Sequence, residues 1–213
     1  MIRLTLLIIL LISLVNLGLG LLGNENTNNN NYTNNDCLIQ NFKYSTDYLH
    51  VSKKLDLSNF FDINSYTRRI YTNSPSSLKD MDKYRWKFIL LNNNLNNPQY
   101  IIKNSKYDEY LCSSARHQSA LFKKRRNVYT RRVNDKKMKW MLNKNDASCI
   151  WRIDNIQDKV YMDHRYLIWN VKYNESLYAA SSLFTTVNDE RSVFTWFDQP
   201  DSDQFYWLIH CIF

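Results

Sequence analysis

The stretch Ile102-Lys-Asn-Ser-Lys-Tyr107 decides the fold, because the chain repeats its pattern twice more. Ile, Asn, Lys and Tyr stand at the same relative positions in residues 39–44 and 168–173, and a Leu follows each copy within five residues. The three Asn residues are 63 and 66 positions apart. Such spacing indicates an internal triplication.

Two further landmarks recur in the same order along the chain. One is an aliphatic–aromatic–Thr triplet and the other is a Trp that opens a strand-like run. The triplets are Ile70-Tyr71-Thr72, Val128-Tyr129-Thr130 and Val193-Phe194-Thr195, and the tryptophans are Trp86, Trp151 and Trp207. Nine landmarks in register predict three homologous repeats, and the recurrence of the tryptophans predicts that they are core residues.

The residues around these landmarks are typical of β-structure. Tyr, Phe, Trp, Ile and Val fill short runs that Asn, Asp and Ser interrupt. The chain is therefore predicted to be all-β, specifically a β-trefoil built from three internal repeats of roughly 60 residues. A trefoil is a six-stranded barrel closed by three hairpins. Asn41, Asn104 and Asn170 are expected at turns, in the left-handed conformation that Asn tolerates when Gly is absent.

Glycine occurs only at Gly18, Gly20 and Gly23 in the 213 residues. Glycine-rich phosphate loops and the Gly-x-Ser-x-Gly turn of hydrolases need glycine at positive φ or at a close approach to ligand. Those enzyme classes are therefore excluded. No Ser or Cys nucleophile stands in a recognisable setting, and the four His residues are scattered. We expect no enzymatic activity, no cofactor and no metal site.

The N-terminus has the composition of a signal peptide, predicted at residues 1–23. Arg3 precedes an apolar run at residues 4–15, and small residues follow. An uncleaved anchor is the alternative, since residues 4–22 are almost long enough to span a membrane. The mature protein is expected to be secreted and extracellular, without stable membrane insertion.

Two regions follow the predicted signal peptide. Residues 24–36 are rich in Asn and are predicted to be a disordered linker, because they lack the apolar area that ordering requires. Residues 37–213 form the predicted trefoil domain. Its repeats are expected at about 37–90, 98–155 and 160–213.

Four cysteines in a secreted chain favour two disulfides over a metal site. A closed trefoil brings its first and last strands together, which predicts a bond between Cys37 and Cys211. Cys112 and Cys149 flank strands of the second repeat and are predicted to pair with each other. Two other connectivities remain possible. Asn31 and Asn174 begin Asn-x-Ser/Thr sequons and are predicted glycosylation sites.

The segment Ile168-Trp-Asn-Val-Lys-Tyr-Asn-Glu-Ser-Leu-Tyr-Ala-Ala180, with residues 191–196 and 207–209, resembles the repeat of secreted insect β-trefoil proteins. It is similar to the trefoil domain of the moth haemolymph low-molecular-weight lipoproteins (the microvitellogenin-like family). More distantly it resembles ricin-type lectin repeats. The resemblance covers residues 37–213. It implies the trefoil fold and suggests a lectin-like function.

Basic residues are concentrated in one segment. The chain has 28 Lys and Arg against 20 Asp and Glu, but residues 116–144 alone contain 11 basic residues and one acid. Such a concentration produces a field that attracts polyanions. A long solvated loop is the alternative interpretation. The candidate polyanion-binding residues are Lys123, Lys124, Arg125, Arg126, Arg131, Arg132, Lys136 and Lys137.

The aromatic residues that do not recur suggest a surface role. Trp169, Tyr178 and Trp196 are the candidates for stacking on sugar rings. We therefore predict a secreted binding protein whose partner is a carbohydrate or a sulphated, glycosaminoglycan-like polyanion, and not nucleic acid. The alternatives are a storage or structural protein of the haemolymph type, and a protease inhibitor that acts through Arg131-Arg132. The oligomeric state remains open.

Overall fold

The computed structural model describes most of one compact unit, Tyr32–Phe213. Within this part of the chain, no helix is long and apolar enough to cross a membrane. The predicted signal peptide and all but the last two residues of the predicted linker lie outside the described residues. The described residues are 35–55, 67–75, 78–92, 97–117, 125–134, 136, 146–157, 164–181, 190–197 and 202–211.

Twelve strands make up nearly all of the described regular structure, with short 3₁₀ helices at Leu78–Tyr84, Ala147–Cys149 and Asp203–Phe205. Each 3₁₀ helix directly precedes a strand that begins with, or one residue before, a landmark Trp. The strands are β1 (Asp36–Asn41), β2 (Tyr48–Leu55), β3 (Thr67–Asn73), β4 (Arg85–Asn92), β5 (Gln99–Asn104), β6 (Glu109–His117), β7 (Arg125–Arg131), β8 (Ile150–Gln157), β9 (His164–Asn170), β10 (Glu175–Ala179), β11 (Arg191–Trp196) and β12 (Trp207–Cys211).

The strands pair antiparallel throughout and form one 12-stranded sheet. The prediction of a β-trefoil built from three repeats is therefore wrong for this chain. That architecture separates a six-stranded barrel from three capping hairpins. Here the hairpin strands pair with one another, β3 with β7, β7 with β11 and β11 with β3, and continue into the remaining strands. The structure is an all-β closed antiparallel barrel, because these pairings leave few backbone N–H and C=O groups at open edges.

The three recurring tryptophans lie in the centre of the barrel, as predicted. Trp86, Trp151 and Trp207 are all 0% exposed. Each indole Nε1 donates a hydrogen bond to a backbone carbonyl of the neighbouring strand pair, at 2.8–3.1 Å. A buried indole needs such a partner, which explains why Trp and not Phe recurs at these positions. The acceptors are the carbonyl oxygens of Leu49, Leu111 and Leu177.

The recurring asparagines hold turns closed, but not by the predicted left-handed backbone. Positive φ occurs instead four residues after two of them, at Asp108 (57°) and Asn174 (49°). Asn104 accepts a hydrogen bond from the Tyr107 N–H through its Oδ1 and donates to the Lys83 carbonyl through its Nδ2. Asn41 and Asn170 make equivalent contacts. The asparagines are therefore selected for their side-chain amides.

Both predicted disulfides are confirmed. Cys37 on β1 lies directly opposite Cys211 on β12, and the two are bonded. Cys112 on β6 is bonded to Cys149 at the end of a 3₁₀ helix. The first bond joins the first and last strands, β1 and β12, and the second joins the β6–β7 hairpin to the 3₁₀ helix directly before β8.

Candidate functional site

Two tryptophans that do not recur lie in one line across the sheet. Trp169 on β9 is opposite Ser176 on β10, and Ser176 is opposite Trp196 on β11. Arg125 on β7 continues the line beyond Trp196, and Arg152 on β8 continues it beyond Trp169. Residues that face each other across antiparallel strands share one face of the sheet. We call these five residues the tryptophan row.

An apolar cluster on the outer face of the sheet supports the row. Both tryptophans are half-buried and pack against this cluster. Tyr178 approaches Trp196 edge-on, with ring centroids 5.0 Å apart, and Phe205 lies 4.8 Å from Tyr178. Tyr178 is 8% exposed. The structure thus brings the three predicted sugar-stacking residues together, with the tryptophans at the surface and Tyr178 beneath them.

A guanidinium group covers each tryptophan from the outer side of the row. The Arg125 Cζ lies 4.0 Å from the Trp196 ring centroid, and the Arg152 Cζ lies 5.3 Å from that of Trp169. Arg152 also forms two hydrogen bonds with Asp154, of 2.9 and 3.0 Å. Burial lowers the pKa of Arg125. These cation–π contacts fix the indoles in place. Arg125 is itself 8% exposed, whereas the Arg152 side chain is 29% exposed and presents donors at the surface.

The centre of the row contains two polar atoms without a hydrogen-bond partner among the described residues. They are the Oγ of Ser176, whose residue is 0% exposed, and the Nε1 of Trp169. Buried polar groups are normally paired, and each unpaired one needs a specific explanation, such as a bound water or ion. The small Ser176 side chain also leaves the two indoles as the largest groups on this part of the sheet.

The same register recurs elsewhere with different residues. Lys87, Lys103, Tyr110, Arg131 and Thr67 stand opposite one another across β4, β5, β6, β7 and β3, in that order. We call this set the lysine row. Its central residue, Tyr110, is 5% exposed, and the Lys103 Nζ lies 5.1 Å from the centroid of its ring. A third line runs across β12, β1, β2 and β3 through Leu208, Gln40, Tyr48 and Asn73. In this line Tyr48 takes the place of Tyr110.

The structure separates the predicted polyanion-binding residues. Arg125 belongs to the tryptophan row and Arg131 to the lysine row. Arg126 is committed to an internal ion pair, with its Nε 2.8 Å from the Glu175 carboxylate. Arg132 and Lys136 are exposed. The remaining three, Lys123, Lys124 and Lys137, lie outside the described residues.

Arg126 is part of a buried arrangement that the sequence reasoning missed. Its guanidinium lies 4.0 Å from the Tyr173 ring centroid, while Thr195 donates a hydrogen bond of 2.6 Å to the other oxygen of Glu175. Glu175 is only 2% exposed. The arrangement joins β7, β10 and β11. We call it the Arg126 joint.

Two related joints link the other hairpins. In the second, Arg68 pairs with Glu109 at 3.2 Å, and Thr130 donates to the same carboxylate. In the third, Arg191 pairs with Asp47 at 2.9 Å, and the Thr72 hydroxyl has no hydrogen-bond partner among the described residues. The sequence contains a trace of this pattern, because each Arg stands two residues before an aliphatic–aromatic–Thr triplet.

A cluster of ionisable groups surrounds His50 on β2. His50 is 1% exposed, and its Nε2 lies 3.6 Å from a Glu190 carboxylate oxygen. Burial, followed by the positive charge of Lys83, lowers the pKa of His50 to about 4. Burial raises the pKa of Glu190, and burial together with nearby carboxylates raises the pKa of Tyr84 to about 12. His50 and Tyr84 are both 1% exposed, whereas the Glu190 side chain is 22% exposed.

The remaining site predictions concern glycosylation and metals. Asn174 is exposed at a turn, in keeping with an acceptor asparagine, and its glycosylation stays a prediction. Asn31 lies outside the described residues. In the part of the chain that the structure describes, no three His, Cys, Asp or Glu side chains are grouped so as to hold a metal ion.

Comparison with known proteins gives similarity in structure only. No family model matches the sequence, and no curated protein matches it. A salivary protein from Culex of the Cysteine and Tryptophan-Rich family is similar over 83% of this chain and 92% of its own, with a TM-score of 0.53 and 18% identity. A Caenorhabditis elegans protein of unknown function has a TM-score of 0.59 and 10% identity over 83% of this chain and 93% of its own.

A chain described as the BEL beta-trefoil is also similar, with a TM-score of 0.50 and 14% identity over 84% of this chain and 94% of its own. At such identities the similarity establishes the fold alone. The neighbours support a trefoil-like fold, while the predicted relation to the moth lipoproteins stays a prediction. The protein is thus placed in a structural class of compact, closed antiparallel β-proteins.

Proposed function

We propose that this protein is an extracellular carbohydrate-binding protein and that the tryptophan row is its binding surface. The observation that carries the proposal is the line Arg152, Trp169, Ser176, Trp196 and Arg125, which places two half-buried indoles between two guanidinium groups on one face of a sheet. A rigid sheet holds these side chains in fixed positions, as a binding site requires.

The chemistry of the row fits a sugar. A pyranose has an apolar face of C–H groups that stacks on an aromatic ring, and a rim of hydroxyls that needs hydrogen-bond partners. The indoles offer the ring surface, and the partly exposed Arg152 offers N–H donors. Tyr178 and Phe205 hold Trp196 from below, which reduces the entropy lost when a ligand binds.

An extracellular location agrees with the covalent structure. Both disulfides are of the kind that persists in oxidising compartments. One structural neighbour is a salivary protein. The composition of residues 1–23 favours export, and secretion of this chain is part of the proposal.

A sulphated polyanion is the second candidate ligand, and the lysine row favours it. Three cations, Lys87, Lys103 and Arg131, lie in one line across the sheet, and Arg132 follows directly. These three cations are half-buried, Arg132 is exposed, and Lys103 is ion-paired with Asp108. Clustered charges of one sign attract polyanions in a manner that salt screens. The inhibitor alternative has less support, because Arg131 lies within β7, paired with β3 and β6, and not in an extended loop.

The test is a glycan array on the purified protein, followed by calorimetry with the best glycan. Changing Ser176→Tyr copies the central residue of the lysine row into the tryptophan row without removing any aromatic side chain. We expect binding to weaken at least about tenfold, because the larger ring displaces the indoles from their stacking positions. The matched control is Tyr110→Phe, which changes the corresponding residue of the lysine row.

The outcomes separate the candidates. Binding to neutral glycans that resists salt and is lost in Ser176→Tyr supports the proposal. Binding confined to sulphated glycans, lost at physiological salt and unchanged in Ser176→Tyr, assigns the function to the lysine row instead. A blank array at both salt concentrations contradicts both and favours a storage or protein-binding role.

A further inference from the structure

The geometry of the tryptophan row points to a more specific ligand: we infer that the row binds an internal stretch of an extended, β-1,4-linked glycan, and not a terminal sugar. The inference rests on the proposed function. It names the class of carbohydrate from the direction and length of the row.

The row runs across the strands, so its length follows from the strand spacing. Trp169 and Trp196 are two strands apart, which places their backbones about 10 Å from each other. Arg152 and Arg125 are four strands apart, and the whole row extends over about 19 Å. This is longer than one pyranose ring, so a single sugar does not engage both indoles and both arginines.

The spacing of the two indoles matches the symmetry of an extended β-1,4-linked chain. In such a chain each sugar is turned over relative to its neighbour, so that every second sugar presents the same face. The distance between Trp169 and Trp196 is close to this two-sugar repeat. Two sugars then stack on the indoles, while the sugar between them lies over Ser176.

The ends of the row extend the same contact. Arg152 and Arg125 each lie on the far side of an indole from Ser176, at 5.3 and 4.0 Å from the ring centroids. The Arg152 side chain is 29% exposed, and its guanidinium is placed to donate to a hydroxyl of the next sugar, whereas Arg125 is 8% exposed and forms the buried end of the row. The row therefore provides about four consecutive subsites, over β8, β9, β10 and β11.

The experiment measures the dependence of affinity on chain length. The probes are β-1,4-linked oligomers of glucose and of N-acetylglucosamine with one to six sugars, titrated into the full-length mature protein by calorimetry. We expect weak binding of the monosaccharide, a gain of about tenfold when the chain first spans both indoles at three sugars, and a plateau at about four sugars.

Two variants report on the two ends. Trp169→Ala and Trp196→Ala should each lower the affinity for long oligomers by about tenfold and remove the gain at three sugars, while leaving monosaccharide binding within about twofold. Retention of the near-ultraviolet circular dichroism of the other aromatic residues shows that the variants are folded. A glycan-binding wild type with equal affinity for one and six sugars overturns the inference.

Failure of the inference differs from failure of the proposed function. Array binding to other glycans, with neither oligomer series bound, overturns the β-1,4-linked assignment and leaves carbohydrate binding intact. If no glycan on the array binds, both are overturned. If the two Trp variants weaken all chain lengths equally, the indoles form one subsite and the extended-chain inference is wrong.

Discussion

The tryptophan row and the lysine row have the same strand register but opposite surface chemistry. Each crosses five strands, and each central residue directly precedes a buried Leu of the barrel core. In one row the centre is the small Ser176 between two indoles. In the other it is the ring of Tyr110 between Lys103 and Arg131.

The difference teaches that the barrel fixes where side chains stand and leaves their chemistry free. Both central residues are almost fully buried, Ser176 at 0% and Tyr110 at 5% exposed. Tyr110 covers the centre of the lysine row with its own ring. The serine contributes no ring, so the aromatic surface at that place belongs to the flanking Trp169 and Trp196, which we propose as the binding surface.

The largest expected effect concerns the clusters beneath the two rows. Cys112 and Cys149 form a disulfide beneath the lysine row. At the equivalent place beneath the tryptophan row, Tyr178 and Phe205 make a ring contact instead. The double change Cys112→Ala and Cys149→Ala should lower the free energy of unfolding by about 4 kcal/mol, because the bond closes a loop of 37 residues. Urea unfolding measures the loss, and glycan binding should not change.

The matched change beneath the tryptophan row is Phe205→Leu. It should cost only about 1 kcal/mol of stability, yet it should weaken glycan binding, because Phe205 supports both Tyr178 and Trp196. If the cysteine change reduces binding as strongly as Phe205→Leu, the two clusters are not independent and the comparison fails.

The next largest effect is expected in the β2–β3 hairpin, at the place equivalent to the two clusters beneath the rows. There His50 contacts Tyr84, with ring centroids 5.1 Å apart. The folded protein favours neutral His50, with a pKa of about 4 against an ordinary value of 6.5. Its contribution to stability is therefore complete above pH 6.5 and is lost as the pH falls towards 4. The loss should reach about 3 kcal/mol, measured by urea unfolding at a series of pH values.

The control for this prediction is His50→Phe, which keeps a ring at the site and removes the titration. The difference in unfolding free energy between pH 7 and pH 4 should be smaller by about 3 kcal/mol in this variant. The raised pKa of Glu190 acts in the opposite direction, since that carboxyl favours its neutral form in the folded protein. Identical pH profiles for wild type and variant would falsify the role of His50.

The sequence predicts the buried centre of the molecule better than its surface. Recurrence alone identifies Trp86, Trp151 and Trp207 as core, because a residue that fills a shared interior must recur with each repeat. The pairing of β3, β7 and β11 is not visible in the sequence. It depends on strand edges that meet only after the chain has closed, and for that reason the architecture was wrongly predicted.

The candidate site shows the same limit. Trp169, Tyr178 and Trp196 were selected because they do not recur, but their alignment with Arg125 depends on cross-strand register between residues 7 to 71 positions apart. The charge run misled for a related reason. Arg126 looks like its basic neighbours in sequence, and only the fold shows that its partner is Glu175, 49 residues away.

The smallest expected effect tests the joints that hold the two rows together. Thr195 and Thr130 donate hydrogen bonds to Glu175 and Glu109, the buried carboxylates next to the tryptophan row and the lysine row. A hydrogen bond to a charged acceptor is worth about 2 kcal/mol, so Thr130→Val should lower the free energy of unfolding by about that amount. Thr72 is the matched control. It is also 0% exposed, but its hydroxyl finds no partner in the described part of the chain, and the acidic residue of the third joint is the shorter Asp47.

Thr72→Val should therefore be neutral or slightly stabilising, since it replaces an unpaired buried hydroxyl with a methyl group of similar volume. Asp47→Glu should likewise be neutral or slightly stabilising, because the longer side chain extends towards Thr72 as Glu175 and Glu109 extend towards their threonines. Urea unfolding of the single variants, and of Asp47→Glu combined with Thr72→Val, gives the coupling between the two positions. Coupling in the combined variant would show that one methylene in the acidic residue distinguishes the third joint from the two beside the rows. Equal losses of unfolding free energy in Thr72→Val and Thr130→Val would show that the three joints do not differ in this way.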